Sequence, residues 1–192
     1  MKVGVHLGGS LWQTAPKSTL NKADALVALA LFQPEIPANT GTLMRLSACL
    51  DVQLHVIGPT AFSMDDKALR RAGMDYRDKA MTTNHVDYAA FEEAIVPAKS
   101  RLVLMTTKAQ QSYAEFTFER NDVIIMGQES AGAPPWLHDC VQARLRIPMT
   151  AGTRSINMAV CASMVLGEAL RQTRSFPTDT EHATNTTSGD TP

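Results

Sequence analysis

The feature that most restricts the fold is a series of short apolar runs set apart by helix-like segments. Leu26–Phe32 is too short and too evenly apolar for a surface helix and reads as a buried strand. Leu54–Ile57 reads as a second strand, Leu102–Met105 and Val123–Met126 as strongly β-like apolar runs, and Leu145–Ile147 as a shorter one. Between them the sequence predicts helices over Thr42–Leu50, from Ser63 to Gly73, over Tyr88–Ala94 and over Asn157–Thr173. Ser63 can cap, Asp65 and Asp66 suit the positive helix end, and Lys67, Arg70 and Arg71 approach the other end. Alternating strands and helices imply an α/β fold, a parallel sheet flanked by helices. The 192 residues divide into an N-terminal appendage over 1–24, one domain over 25–174, and a tail over 175–192 expected to be disordered. From Pro177 onward the tail has no aromatic or large aliphatic residue, so it cannot offset the entropy of ordering.

Composition excludes several classes. There are 18 basic and 19 acidic residues, for a net charge of -1, so any RNA contact must come from a local patch. Lys67, Arg70, Arg71, Arg77 and Lys79 form one such stretch, although Asp65, Asp66, Asp75 and Asp78 interleave. Arg144, Arg146 and Arg154 form another. The 3 cysteines, Cys49, Cys140 and Cys161, form no CxxC pair, which fits a reducing cytoplasm. The longest apolar run, Ala25–Phe32, is far short of the roughly 20 residues of a membrane span. Lys17 and Lys22 before it imitate a signal peptide only faintly, since Asp24 borders the run and it lies late. The expectation is no membrane partner.

In open parallel sheets ligands bind at the carboxyl ends of strands, so the loops after Phe32, Met105, Met126 and Ile147 carry the chemistry. Pro34, Pro37 and Asn39-Thr40-Gly41 read as a loop, with Asn39 placed to cap the following helix. Arg45 then falls about one turn in, which leaves two readings open, a group facing an anion held at the helix start or a solvent-exposed arginine. The second loop holds Thr106, Thr107 and Lys108. In the third, Gly127 and Gly132 bracket Glu129; there is no GxxxxGK[ST] and no GxGxxG, and a central carboxylate would repel phosphate. That argues against an NTPase and a dinucleotide-dependent dehydrogenase. In the fourth, Ser155 is placed to cap the last helix and Asn157 to point at the same opening. No GxSxG or HExxH occurs. His6 and His182 lie in the appendages, His55 in a strand, His85 in a polar turn and His138 in a structural setting after Trp136, so no metal site is expected.

Taken together, NTGxxxR at Asn39–Arg45, GxExxG at Gly127–Gly132, and RIPM followed by RSxNM resemble the three ordered motifs of SPOUT-class RNA 2'-O-ribose methyltransferases. The likeness spans about residues 26–173. "LFQPEIPANTGTLMRL", "DDKALRRAGMDY" and "LMTTK" resemble its TrmL (YibK-like) subgroup, which methylates the wobble nucleotide of tRNA. The resemblance implies a deep trefoil knot in the C-terminal half. It implies binding of S-adenosylmethionine, without a metal, by Met105, Thr106, Gly127, Gly132, Ile147, Met149, Ser155 and Met158, with S-adenosylhomocysteine as product. Arg45, Asn39, Glu129, Ser155 and Asn157 would form the catalytic set, and a tRNA anticodon stem-loop would be the partner, with leucine tRNAs the expected substrates. It also implies a homodimer through the knot region, which the small residues Ala159, Ala162, Ser163 and Gly167 allow. One departure is Ala131, where relatives often carry arginine; if that arginine contacts RNA in them, this chain must hold its substrate otherwise. Methylation of another tRNA or ribosomal RNA position, and a non-catalytic RNA-binding role, are the rival readings.

Overall fold

The computed structural model describes residues 26–63, 67, 69, 71 and 81–178. The appendage over 1–24, most of the tail, and most of the segment from Ser63 to Gly73 lie outside the described residues; residues 67, 69 and 71 are helical. Arg70, Arg77 and Lys79 of the first basic stretch also lie outside them.

In chain order the elements are β1 (Ala28–Phe32), α1 (Pro37–Leu50), β2 (Leu54–Ile57), β3 (Thr82–His85), α2 (Tyr88–Ile95) and β4 (Arg101–Met105). There follow β5 (Gln111–Ser112), β6 (Asp122–Met126), α3 (Pro135–Cys140), β7 (Ala143–Arg146) and α4 (Met158–Thr173). Among the described residues the strands make one seven-stranded sheet in the order β3-β2-β1-β6-β4-β7-β5, and every pairing is parallel.

β1 and β6 are buried at every position because both faces of the sheet are covered. Leu29, Leu31, Val103 and Ile124 meet α1 and α4 through Leu43, Met44, Val165 and Leu166. Ala28, Ala30, Leu104 and Ile125 turn the other way, toward Phe91 of α2 and Leu137 of α3. The strand order changes direction between β1 and β6: β2 and β3 extend one side, β4, β7 and β5 the other. A crevice outside the carboxyl ends of these two strands is therefore where a ligand is expected. At the opposite end Arg101 forks onto the fully buried Asp122 of the neighbouring strand, at 2.6 Å (Nε) and 2.8 Å (Nη2).

Several expectations need correction. Asn39-Thr40-Gly41 is not loop: α1 begins at Pro37, which suits the first helical position because its missing N–H would be unpaired there anyway. Asn39 is thus inside the first turn, and the N-cap is Ile36 with no capping side chain of its own. Arg45 consequently lies two turns in, about 12 Å along the axis from the start. The N-cap of α4 is Asn157, which accepts from the amides of Ala159 and Val160; Ser155 does not cap. His85 is not in a turn but ends β3, where it is buried.

Candidate active site

The loops leaving β1 and β6 clasp each other at the crevice. The Glu129 carboxylate accepts from the Glu35 amide at 2.8 Å (Oε2), and from the Ile36 amide at 3.3 Å and Asn39 Nδ2 at 3.1 Å (Oε1). The start of α1, a natural anion site, is therefore filled by the protein's own carboxylate. The clasp is reciprocal. Glu35 accepts from the Ser130 amide at 2.8 Å and its hydroxyl at 2.7 Å. Those two bonds, the hydroxyl first, hold the Glu35 carboxyl below the usual carboxylate range. Beneath them Gln128 Nε2 donates to Gln33 Oε1 at 3.0 Å.

Asn39 is buried and passes the contact on: its Oδ1 accepts from Asn157 Nδ2 at 3.0 Å. Glu129, Asn39 and Asn157, from three separated motifs, thus form one chain of hydrogen bonds. Ser155 is exposed and makes no hydrogen bond to the described residues, so it stays outside that chain. Arg45 is exposed on α1.

The β6 loop is a tight hairpin. Gln128 and Gly132 exchange both backbone hydrogen bonds at 3.0 Å. Gly132 has φ +69, and a Cβ at Gly127 would sit 2.6 Å from the Gly132 carbonyl carbon. Both glycines are thus required by backbone geometry, one by conformation and one by space. The β4 and β7 loops are joined by the Thr106 amide, which donates to the Leu145 carbonyl at 2.9 Å. Beside them Met105 and Met158 are buried in the core, Ile147 packs half-buried against the same cluster, and Met149 is exposed. Among the described residues no three histidine, cysteine, aspartate or glutamate side chains converge where a metal ion could sit. Nor is any helix among them long and apolar enough to cross a membrane.

Sequence reasoning missed Glu35. Its role depends on Ser130, 95 positions away, and the only local signal was its place in a loop at a strand end.

The parallel sheet flanked by helices, with its loops meeting at the switch point, is the fold of the SpoU methyltransferases. The chain matches the SpoU rRNA Methylase family over residues 26–167, and it belongs to that family. It is 50% identical over 144 residues to the tRNA (cytidine(34)-2'-O)-methyltransferase of Beijerinckia indica subsp. indica, covering 75% of this chain and 90% of that one. It is 40% identical over 149 residues to the enzyme of the same description from Escherichia coli strain K12, covering 77% and 94%. A solved structure described as giving insight into 2-OH methylation of C/U34 on tRNA superposes with a TM-score of 0.73 at 36% identity, covering 77% of this chain and 96% of that one.

Proposed function

We propose that this chain transfers a methyl group from S-adenosylmethionine to the ribose 2'-hydroxyl of wobble nucleotide 34 of tRNA, a cytidine or modified uridine, in leucine tRNAs. The observation that carries the reading is the Glu129–Asn39–Asn157 chain at the β1–β6 crevice, in a protein half identical to an enzyme described as acting at that nucleotide. The reaction belongs to the cytoplasm, where tRNA is matured.

The cofactor supplies a methyl carbon already activated by its sulfonium. Ile147 and Met149 would flank its adenine, and the backbone of the loops carrying Met105, Thr106, Gly127, Gly132, Ser155 and Met158 would enclose the rest. Asn39 and Asn157, steadied by Glu129, orient the ribose. Alignment of this kind contributes roughly 7–11 kcal/mol in well-ordered sites. Arg45 acts as an electrostatic clamp on the 2'-oxygen or an adjacent phosphate, because a guanidinium is a strong hydrogen-bond donor with no acceptor and so is a poor base. A phosphate or water then takes the proton.

Two further parts belong to the same proposal. The trefoil knot is supported by α4 packing back on α1 and β6 after the chain has built β7. The homodimer is supported by Val160 and Met164, which are 52% and 40% exposed on α4.

The test is incubation with radiolabelled methyl donor and bulk unmodified tRNA, followed by nuclease mapping. Label on the ribose of nucleotide 34 is the expected result. Label elsewhere overturns the position, and no label overturns the activity.

A further inference from the structure

A protein with net charge -1 must hold RNA with a local strip of charge, and the sheet register identifies one. β7 pairs with β4 on one side and with the two-residue β5 on the other. Arg144 lies beside Leu104, and Arg146 beside Ser112. Leu104 has no exposed surface under α2 and α3, whereas Arg144 is exposed, so that cover ends before β7. Residues two apart on a strand project from the same face, about 6.6 Å apart. The intervening Leu145 turns to the opposite apolar layer. Arg144 and Arg146 therefore stand side by side on an uncovered strip of sheet.

Neither guanidinium has an ion-pair partner among the described residues. Asp139 of α3 and Glu115 just after β5, the acids of the two flanking elements, are exposed and do not pair with them. This contrasts with Arg101, which is occupied by Asp122 and Glu119, and with Arg171, which is occupied by Glu168. The strip runs directly into the loop bearing Met149 and the exposed Arg154, and the adjoining β4 loop adds the exposed Lys108. Two exposed cations about 6.6 Å apart along one strand, without ion-pair partners among the described residues, match neighbouring phosphates of a nucleic-acid strand.

We infer that Arg144 and Arg146 bind neighbouring phosphates of the substrate RNA strand and hold it while the target ribose enters the β1–β6 crevice. The inference rests on the function proposed above and names the surface through which it is exercised.

The experiment compares the full-length wild type with Arg144→Ala, Arg146→Ala and the double variant. Unmodified tRNA binding is measured over a range of salt, with methyl-donor affinity, thermal melting and steady-state kinetics alongside. The double variant is expected to bind tRNA at least tenfold more weakly near 0.1 M salt. The slope of log K against log salt should become shallower by about 1.4, roughly 0.7 for each single-strand phosphate lost. KM for tRNA should rise while kcat at saturating tRNA, donor affinity and melting stay within twofold or a degree or two. A lysine pair at the same positions should restore much of the slope, since charge is kept. An unchanged slope, or a loss of kcat with unchanged KM, overturns the inference. If the wild type methylates tRNA and the double variant keeps its slope, only the strip is refuted. If the wild type binds no tRNA, the inference and the function beneath it both fall.

Discussion

Gly127 and Gly132 sit in one six-residue hairpin, and the structure predicts that the same substitution has different consequences at the two positions. An added Cβ at Gly127 would lie 2.6 Å from the carbonyl carbon of Gly132, 2.7 Å from the nitrogen of Ala133 and 2.9 Å from the Gly132 oxygen. All three are backbone atoms, so no side chain can swing away, and the hairpin must open by almost 1 Å. Opening weakens the two Gln128–Gly132 hydrogen bonds, about 1 kcal/mol each, and adds about 1–3 kcal/mol of overpacking strain. Gly127→Ala should therefore cost about 3–5 kcal/mol. An alanine at Gly132 meets nothing within 4 Å; it inherits only a φ of +69, worth about 1–2 kcal/mol. At about 2–4 °C per kcal/mol for a domain of this size, Gly127→Ala should melt roughly 10 °C lower and Gly132→Ala only a few degrees lower. The hairpin also carries Glu129, so Gly127→Ala should weaken donor binding measured by calorimetry and should slow methyl transfer. Equal melting of the two variants, or Gly127→Ala with wild-type melting and donor affinity, would refute the steric argument.

Two other predictions concern Arg45 and the histidine pair. Arg45→Ala should nearly abolish turnover while leaving donor affinity within about twofold, because the clamp acts on the ribose side; a large loss of donor binding in calorimetry would remove it from that role. His55 Nδ1 and His85 Nε2 lie 2.9 Å apart between β2 and β3. Burial first, and then the neighbouring His85, bring His55 down to about 4, and burial also lowers His85. A histidine that is neutral in the fold and has a pKa near 6.5 when unfolded contributes stability that is fully present above pH 6.5. That stability is lost as pH falls toward 4, by about 3 kcal/mol in all. Urea unfolding between pH 7 and 4 should show this slope, and His55→Gln should flatten it; an equally steep slope in the variant would sink the assignment.

The strands that were legible in the sequence are β1, β2, β4 and β6, whose buried positions make largely apolar runs; the polar exceptions are His55, which meets His85, and Arg101 and Asp122, which pair with each other at the strand starts. β3 escaped notice because it is an edge strand of composition Thr-Thr-Asn-His, whose first three positions are not buried, so it lacks the apolar signal. β5 has only two residues and no pattern to read. The start of α1 was misplaced for a different reason. Asn-Thr-Gly has loop composition, and the group that satisfies the helix start is Glu129, about 90 positions away. A cap supplied from another element leaves no local trace. The site was legible as a set of loops, since strand ends with glycine, hydroxyl and amide residues are visible one at a time. Which of them touch depends on the adjacency of β1 and β6, which follows only from the strand order.

The hydrogen-bond chain has a fixed polarity, and this limits what it can do in catalysis. At one end, the Glu129 carboxylate takes hydrogen bonds from the Glu35 and Ile36 amides. Asn39 therefore presents its NH2 to Glu129 and its oxygen to Asn157. At the other end, the Asn157 oxygen is committed to the amides of Ala159 and Val160, so its NH2 must face Asn39. Neither amide can flip without setting like groups against each other. What remains unused is one N–H on each NH2 group, and Asn157 is exposed while Asn39 is buried. Toward an incoming ribose this chain thus offers a donor, which can hold an oxygen lone pair but cannot accept the hydroxyl proton. Both oxygens of Glu129 already accept hydrogen bonds from the Glu35 and Ile36 amides and from Asn39, which suits the positioning role proposed for it. On the mechanism proposed above, the proton then leaves to water or to a phosphate of the RNA, and not to this chain.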